Sequence, residues 1–314
     1  TYFDEFASDS TYGSQTTRPW GITSFNSNGF SLGGDNNQFN SSSYKYCSWT
    51  FRKTPGFFDI IQWTGNSTAG RTISHNLGSA PGAIFVKRTD GVGNWSVFHR
   101  KMNGNGDGYM HLNNENAAQS TGELLWGDGS TFIAPTSTTI TLGSDSFVNY
   151  SGYEYIAYIF AHDEAIFGEN ADQSVIKCGS YNANNSSSGN TIDVGFEPQW
   201  VLIKSSAIGG AGYGWTLHDN MRDRTLFADS TNQETSSRQI DFTPTGFHCI
   251  GKDSNINDGF GEYIYIAIRR PNKPPTAATD VFDIDTFTGS GSAEVISTTF
   301  TVDASLTAWR NRNF

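Results

Sequence analysis

One stretch recurs three times and limits what this chain can become: YCSWTF from Tyr46 to Phe51, YIAYIF from Tyr155 to Phe160, and YIYIAI from Tyr263 to Ile268. The leading tyrosines stand 109 and 108 residues apart. Each copy is short, aromatic and β-branched, the composition of a buried strand and not of a helix. Each follows a turn rich in Gly, Asn, Asp and Ser: GGDNNQFNSSS, GSDSFVNYSG and GKDSNINDGFG. A strand returning at a constant interval marks an array of similar units.

The surrounding residues align on the same period. ITSFNSNGFSLGG from Ile22 matches IDFTPTGFHCIGKD from Ile240, with the Gly-Phe pairs at Gly29 and Gly246 two periods apart. Pro81 and Lys87 recur as Pro198 and Lys204, and Trp95 recurs as Trp215. The predicted layout has four parts. Residues 1–55 hold a lead-in, or the remains of an earlier strand, and the closing half of a unit. Residues 56–170 and 171–272 are two full units. Residues 273–314 are a Pro-rich connector followed by the opening strands of a further unit. Each full unit carries about six strand candidates, which suits an antiparallel sandwich. The expected fold is therefore all-β: tandem antiparallel β-sandwich repeats of a jelly-roll or lectin-like kind, with partial units at both ends. The two partial units are complementary halves. They would complete each other, within the chain or between subunits, or else belong to a longer array. The sequence opens on Thr1 and not on Met, as a processed chain or part of a longer one would.

Composition agrees with this layout. Hydrophobic residues make up only 36%, but 23 Phe, 13 Tyr and 8 Trp supply rings enough for real cores. The 34 Gly serve tight turns. A net charge of −11 without a Lys/Arg cluster argues against nucleic acid as a partner. No apolar run reaches membrane-spanning length. Cys47, Cys178 and Cys249 lie in strand-like runs without CxxC spacing, so buried thiols are expected; a Cys178–Cys249 bridge is the alternative. The nearest helical candidate, HDEAIFGEN around Ile166, is too short to matter.

No nucleophile elbow, HExxH or phosphate-binding loop is written here. The six histidines are scattered, and His99 and His218 follow the repeated Trp as positions of the fold. Glu115, Glu123, Asp128, Asp219, Asp223 and Asp229 are the carboxylates a glycosidase would draw on, but nothing in one dimension pairs them. Asp253, Asn255 and Asn257 place oxygen ligands at alternate positions, as calcium loops do, and Asp35-Asn36-Asn37 occupies the matching turn of the first copy. Ordinary turn chemistry explains the same residues. Calcium is thus the one cofactor considered. Trp126, Tyr109, Tyr213 and Trp63 lie in or beside Gly-rich segments that vary between units. Their rings would stack on a sugar or another protein, or else cap the ends of the sandwiches.

The runs VIKCGSY, VGFEPQWVLIK, GWTLHD, FTPTGF and YIYIAIRRP together resemble a tandem β-domain of virion proteins from marine tailed phages, the cyanophages especially. The likeness is strongest over residues 174–272, good over 57–164 and partial at the ends. It implies a non-enzymatic virion protein, of a tail fibre or another appendage, exposed on the particle surface. Its implied partners are sibling subunits in a homo-oligomer, other virion proteins and a host-surface glycan or receptor. The competing expectation is a carbohydrate-binding module or a polysaccharide depolymerase.

Overall fold

The computed structural model describes residues 6–14, 21–34, 39–259, 261–271, 282–298 and 304–311. The Pro-rich connector and Asp35-Asn36-Asn37 lie outside them. Among the described residues the chain is all-β and antiparallel, with helical geometry confined to two single turns at Met102–Gly104 and Gly122–Leu124.

The strands run in chain order from β1 (Ile22–Asn26), β2 (Gly29–Leu32) and β3 (Lys45–Phe51) to β4 (Phe58–Thr64), β5 (Arg71–Ser74), β6 (Ala83–Arg88) and β7 (Ser96–His99). Then come β8 (Met110–His111), β9 (Thr139–Leu142), β10 (Glu154–Phe160), β11 (Ile176–Asn182), β12 (Asn190–Asp193) and β13 (Pro198–Ser205). They end with β14 (Thr216–Asp219), β15 (Leu226–Phe227), β16 (Ile240–Thr243), β17 (Gly246–Cys249), β18 (Glu262–Arg269), β19 (Phe282–Thr288), β20 (Glu294–Ser297) and β21 (Ala304–Asn311).

Three sheets, the large ones by length of their tyrosine strand, place that recurrent strand between two neighbours. Their orders are β4-β10-β6-β7-β8, β11-β18-β13-β14-β15 and β19-β3-β21. A strand paired on both edges and covered on both faces must be apolar throughout, which explains the unbroken hydrophobic runs. β18 shows the division. Ile264, Ile266 and Ile268 face one cluster, and Tyr263, Tyr265 and Ala267 face another. Smaller sheets, β5-β9, β12-β17-β16 and β1-β2-β20, accompany the larger ones.

The third large sheet is assembled from the two ends of the chain. β3 pairs with β19 from Phe51↔Phe282 to Lys45↔Thr288, and with β21 on its other edge. β2 pairs with β20 in the companion small sheet. The closing half at the N-terminus and the opening half at the C-terminus thus meet within one chain.

Units strung end to end would share no core, whereas here one cluster spans all three large sheets, with two smaller clusters beside it. One cluster takes Cys47, Trp49 and Phe51 from β3, Phe58, Phe85 and Phe160 from the first large sheet, and Trp200, Leu202 and Ile266 from the second. Phe51 meets Phe160 at 5.5 Å and Trp200 at 6.2 Å between ring centroids, so all three sheets touch there. Burying so many rings together supplies the main stabilising term.

The described part of the lead-in is held by the same side chains that hold a later segment. Trp95 donates from Nε1 to Ala7 O (2.9 Å), and Lys87 donates from Nζ to Thr11 O (3.2 Å). One unit later, Trp215 donates to His111 O (3.0 Å) and Lys204 to Glu115 O (3.4 Å). The recurrent Trp and Lys therefore grip the segment handed over by the preceding unit. Both lysines are fully buried, and burial pushes each down to about 8.

Candidate functional site

The loop before each recurrent strand is fixed by the same two side chains. The tyrosine stacks on an aromatic residue across the sheet: Tyr46 on Phe287 (5.4 Å), Tyr155 on Trp63 (5.7 Å) and Tyr263 on Tyr181 (5.4 Å). These are directly opposed strand residues, the pairs that most stabilise an antiparallel sheet. Each hydroxyl accepts the backbone N–H five residues upstream, from Ser41, Tyr150 and Asp258. Tyr155 and Tyr263 also donate to the carbonyls of Ser146 and Ser254, both at 2.7 Å.

An asparagine completes the anchor. Asn40, Asn149 and Asn257 are fully buried. Their Nδ2 groups donate to Gly33 O, Gly143 O and Gly251 O, closing the loop on itself. Their Oδ1 atoms accept the N–H of Ser290, Asn66 and Asn184, joining that loop to the turn after the opening strand. Asn40 and Asn149 also donate to Ser292 O and Thr68 O. In that turn Ser67, Asn185 and Gly291 all take left-handed φ, 57°, 50° and 75°. A buried amide with its donors and acceptor engaged is costly to disturb.

This geometry relocates the residues singled out from sequence. Trp126 is fully buried against Phe98, so no face is left for a ligand. Trp63 is the buried stacking partner of Tyr155. Tyr109 is half-buried and packs on His111 and Phe147. Tyr213 donates to Asp258 at 2.9 Å. The calcium candidates have other duties. Asp253 Oδ1 accepts from the Asn255 backbone and side chain, Asn255 accepts from Gly214, and Asn257 is the anchor itself. Among the described residues no cluster of His, Cys, Asp or Glu fits a metal ion.

Of the six carboxylates, Glu115 and Asp229 come close enough to act on each other and on Lys204, while the others with observed contacts serve separate structural tasks. Asp219 is buried against Arg222 and accepts from the Trp49 indole (3.2 Å), tying the first strand of the chain's N-terminal sheet to the second large sheet. Asp229 accepts from Trp215, and burial raises it to about 6. Asp128 closes its own turn on Ser130 and Thr131, and Asp223 pairs with Arg238. All three cysteines are buried thiols outside any disulfide. Cys178 and Cys249 belong to different core clusters, which excludes a bridge between them.

What sequence reasoning missed is on the outer side of the anchored loops. Tyr150 is 48% exposed, and its ring stands 4.7 Å from that of Tyr153. Arg88 lies 3.2 Å over the Tyr153 ring and is held by Asp90 at 2.7 Å. The available signal was the mismatch between copies: positions 150 and 153 correspond to Ser41 and Tyr44 in the first loop and to Asp258 and Gly261 in the third.

The model for a domain of unknown function, DUF7483, matches residues 3–271. The chain belongs to the DUF7483 family. The matched range contains β1 to β18 and stops before the strands that complete the third large sheet. No curated protein and no solved structure matches the chain.

Proposed function

We propose that this DUF7483 chain is a non-enzymatic structural protein of a virus-particle appendage that contributes to attachment at the host surface. The observation that supports this reading is the triple loop anchor. Three loops differ in their outward residues, yet each is fixed to its sheet by the same buried Tyr and Asn. Such a plan keeps a scaffold constant while the exposed tips vary, as recognition surfaces on rigid frames do. The resemblance to virion proteins of marine tailed phages supplies the setting, a particle surface with sibling subunits and other virion proteins as neighbours. The acidic balance suits an exposed, soluble surface.

The competing reading, a polysaccharide depolymerase, predicts hydrolysis. Purified protein incubated with host capsular or envelope polysaccharide should release no reducing ends, while fluorescently labelled protein should adsorb to host cells. Reducing-end release would overturn the structural reading, and failure to adsorb would overturn the attachment role.

A further inference from the structure

We infer that Tyr150 and the polar side chains around it form a binding site for a neutral pyranose glycan. The inference deepens the attachment reading above and rests on it.

The site is built before any ligand arrives. Residues 65–68 and 149–153 are joined by Gly65 N–H to Tyr153 O (2.7 Å), Gly152 N–H to Gly65 O (3.0 Å), Ser67 N–H to Asn149 O (2.6 Å) and Ser151 N–H to Ser67 Oγ (2.8 Å). Gly65 is required for this approach, since a Cβ there would fall 2.1 Å from Tyr150 O. The Tyr150 N–H is itself bound to the buried Tyr155 hydroxyl. Tyr153, in contact with both Tyr150 and Arg88, supports the exposed ring. Little freedom remains for a ligand to quench, and preorganisation of this kind favours binding by weakly interacting sugars.

The chemistry selects the class of ligand. A sugar presents an apolar C–H face to a ring and hydroxyls at its rim. Tyr150 offers the ring, and Asn66, Ser67, Thr68 and Ser151, all exposed, offer amides and hydroxyls on the two joined segments. None of these four carries charge, the nearby Arg88 is neutralised by Asp90, and Arg71 spends its Nη1 on Thr64 O and Asn149 Oδ1. A neutral pyranose fits better than a uronic or sialic acid. A protein partner would need a wider apolar centre than one half-exposed ring provides.

The test uses the full chain on a printed array of neutral gluco-, manno- and galacto-oligosaccharides, with uronic-acid and sialylated glycans alongside. At least one neutral series should bind. Tyr150→Ala should lose about tenfold or more of that affinity, and Tyr150→Phe, which keeps the ring, should retain it within about threefold. Tyr213→Phe, which alters a loop tip elsewhere, should bind as the parent does. Thermal melts of each variant separate loss of the site from loss of the fold. Binding of acidic glycans alone, no neutral glycan bound, or unchanged affinity in folded Tyr150→Ala would each overturn the inference. Adsorption to host cells before and after periodate oxidation of their surface sugars distinguishes the two levels. Adsorption that survives periodate leaves attachment standing and removes the glycan site; absence of adsorption to untreated cells removes both.

Discussion

The loop of residues 144–153 and the loop of residues 251–259 hang from the same scaffold and end in different chemistry. In the first, Asn149 and Tyr155 hold the backbone while Tyr150 points a half-exposed ring outward beside Tyr153. In the second, Asn257 and Tyr263 make the corresponding bonds. The position of Tyr150 is taken there by Asp258, tied back to Tyr213, and that of Tyr153 by Gly261. Two side chains thus determine where a loop sits, and the residues between them are released to vary. The difference also warns against reading function from residue type. Trp126 and Trp63 are the more conspicuous rings, yet both are core.

The most drastic way to break the equivalence of the anchors is to remove the neighbours of one. Deleting residues 278–314 takes β19 and β21 from both edges of β3 and should open the N-terminal sheet. Amides of residues 45–51 should lose hydrogen-exchange protection by several kcal/mol, while β10 and β18 keep theirs; unchanged protection would show the chain ends to be dispensable.

Asn149→Ala and Asn257→Ala probe the anchors directly. Each should cost about 3 kcal/mol in urea denaturation, because several backbone groups are left unpaired in a buried setting. A large inequality would mean that the two loops are not held alike.

Acid should act on the whole frame. Burial holds His99 and His218 down to about 3, with the His99 ring donating to Tyr265 O once its Nδ1 accepts from Lys101. Both are neutral when folded, whereas the unfolded chain takes up protons below about 6.5. The unfolded state then binds more protons, so stability is present above pH 6.5 and is lost as pH falls toward 3. A series of melts should show a loss of several kcal/mol across that window, and His99→Gln should flatten the slope. A flat profile in the parent would refute neutral burial.

The smallest effect separates the two turns. Ser67 and Asn185 share left-handed backbone, which Asn tolerates better than Ser. Ser67→Gly should relieve about 0.5 kcal/mol of strain but lose the Ser151 N–H acceptor at about 1 kcal/mol, a slight net destabilisation, and Asn185→Gly should be nearly neutral, as read from denaturation midpoints.

The all-β class follows from the order of residues alone, because period and aromatic strand composition are local properties. That order also located the recurrent strand and offered the pairing of the two chain ends as one of two arrangements. Trp95 and Trp215 were legible as core for the same reason: they recur. Only the tertiary structure decided which rings are exposed, since burial depends on strands far apart in the chain. Trp63 is covered because Tyr155 lies opposite it, 92 residues later. Asn257 reads as a calcium ligand in one dimension and becomes an anchor once Asn184 and Gly251 are beside it. The joining of β3 to β19 and β21 likewise rests on contacts more than 230 residues apart, which no local pattern records. What began as three similar strands is, in three dimensions, three anchored loops around sheets that share one cluster of rings.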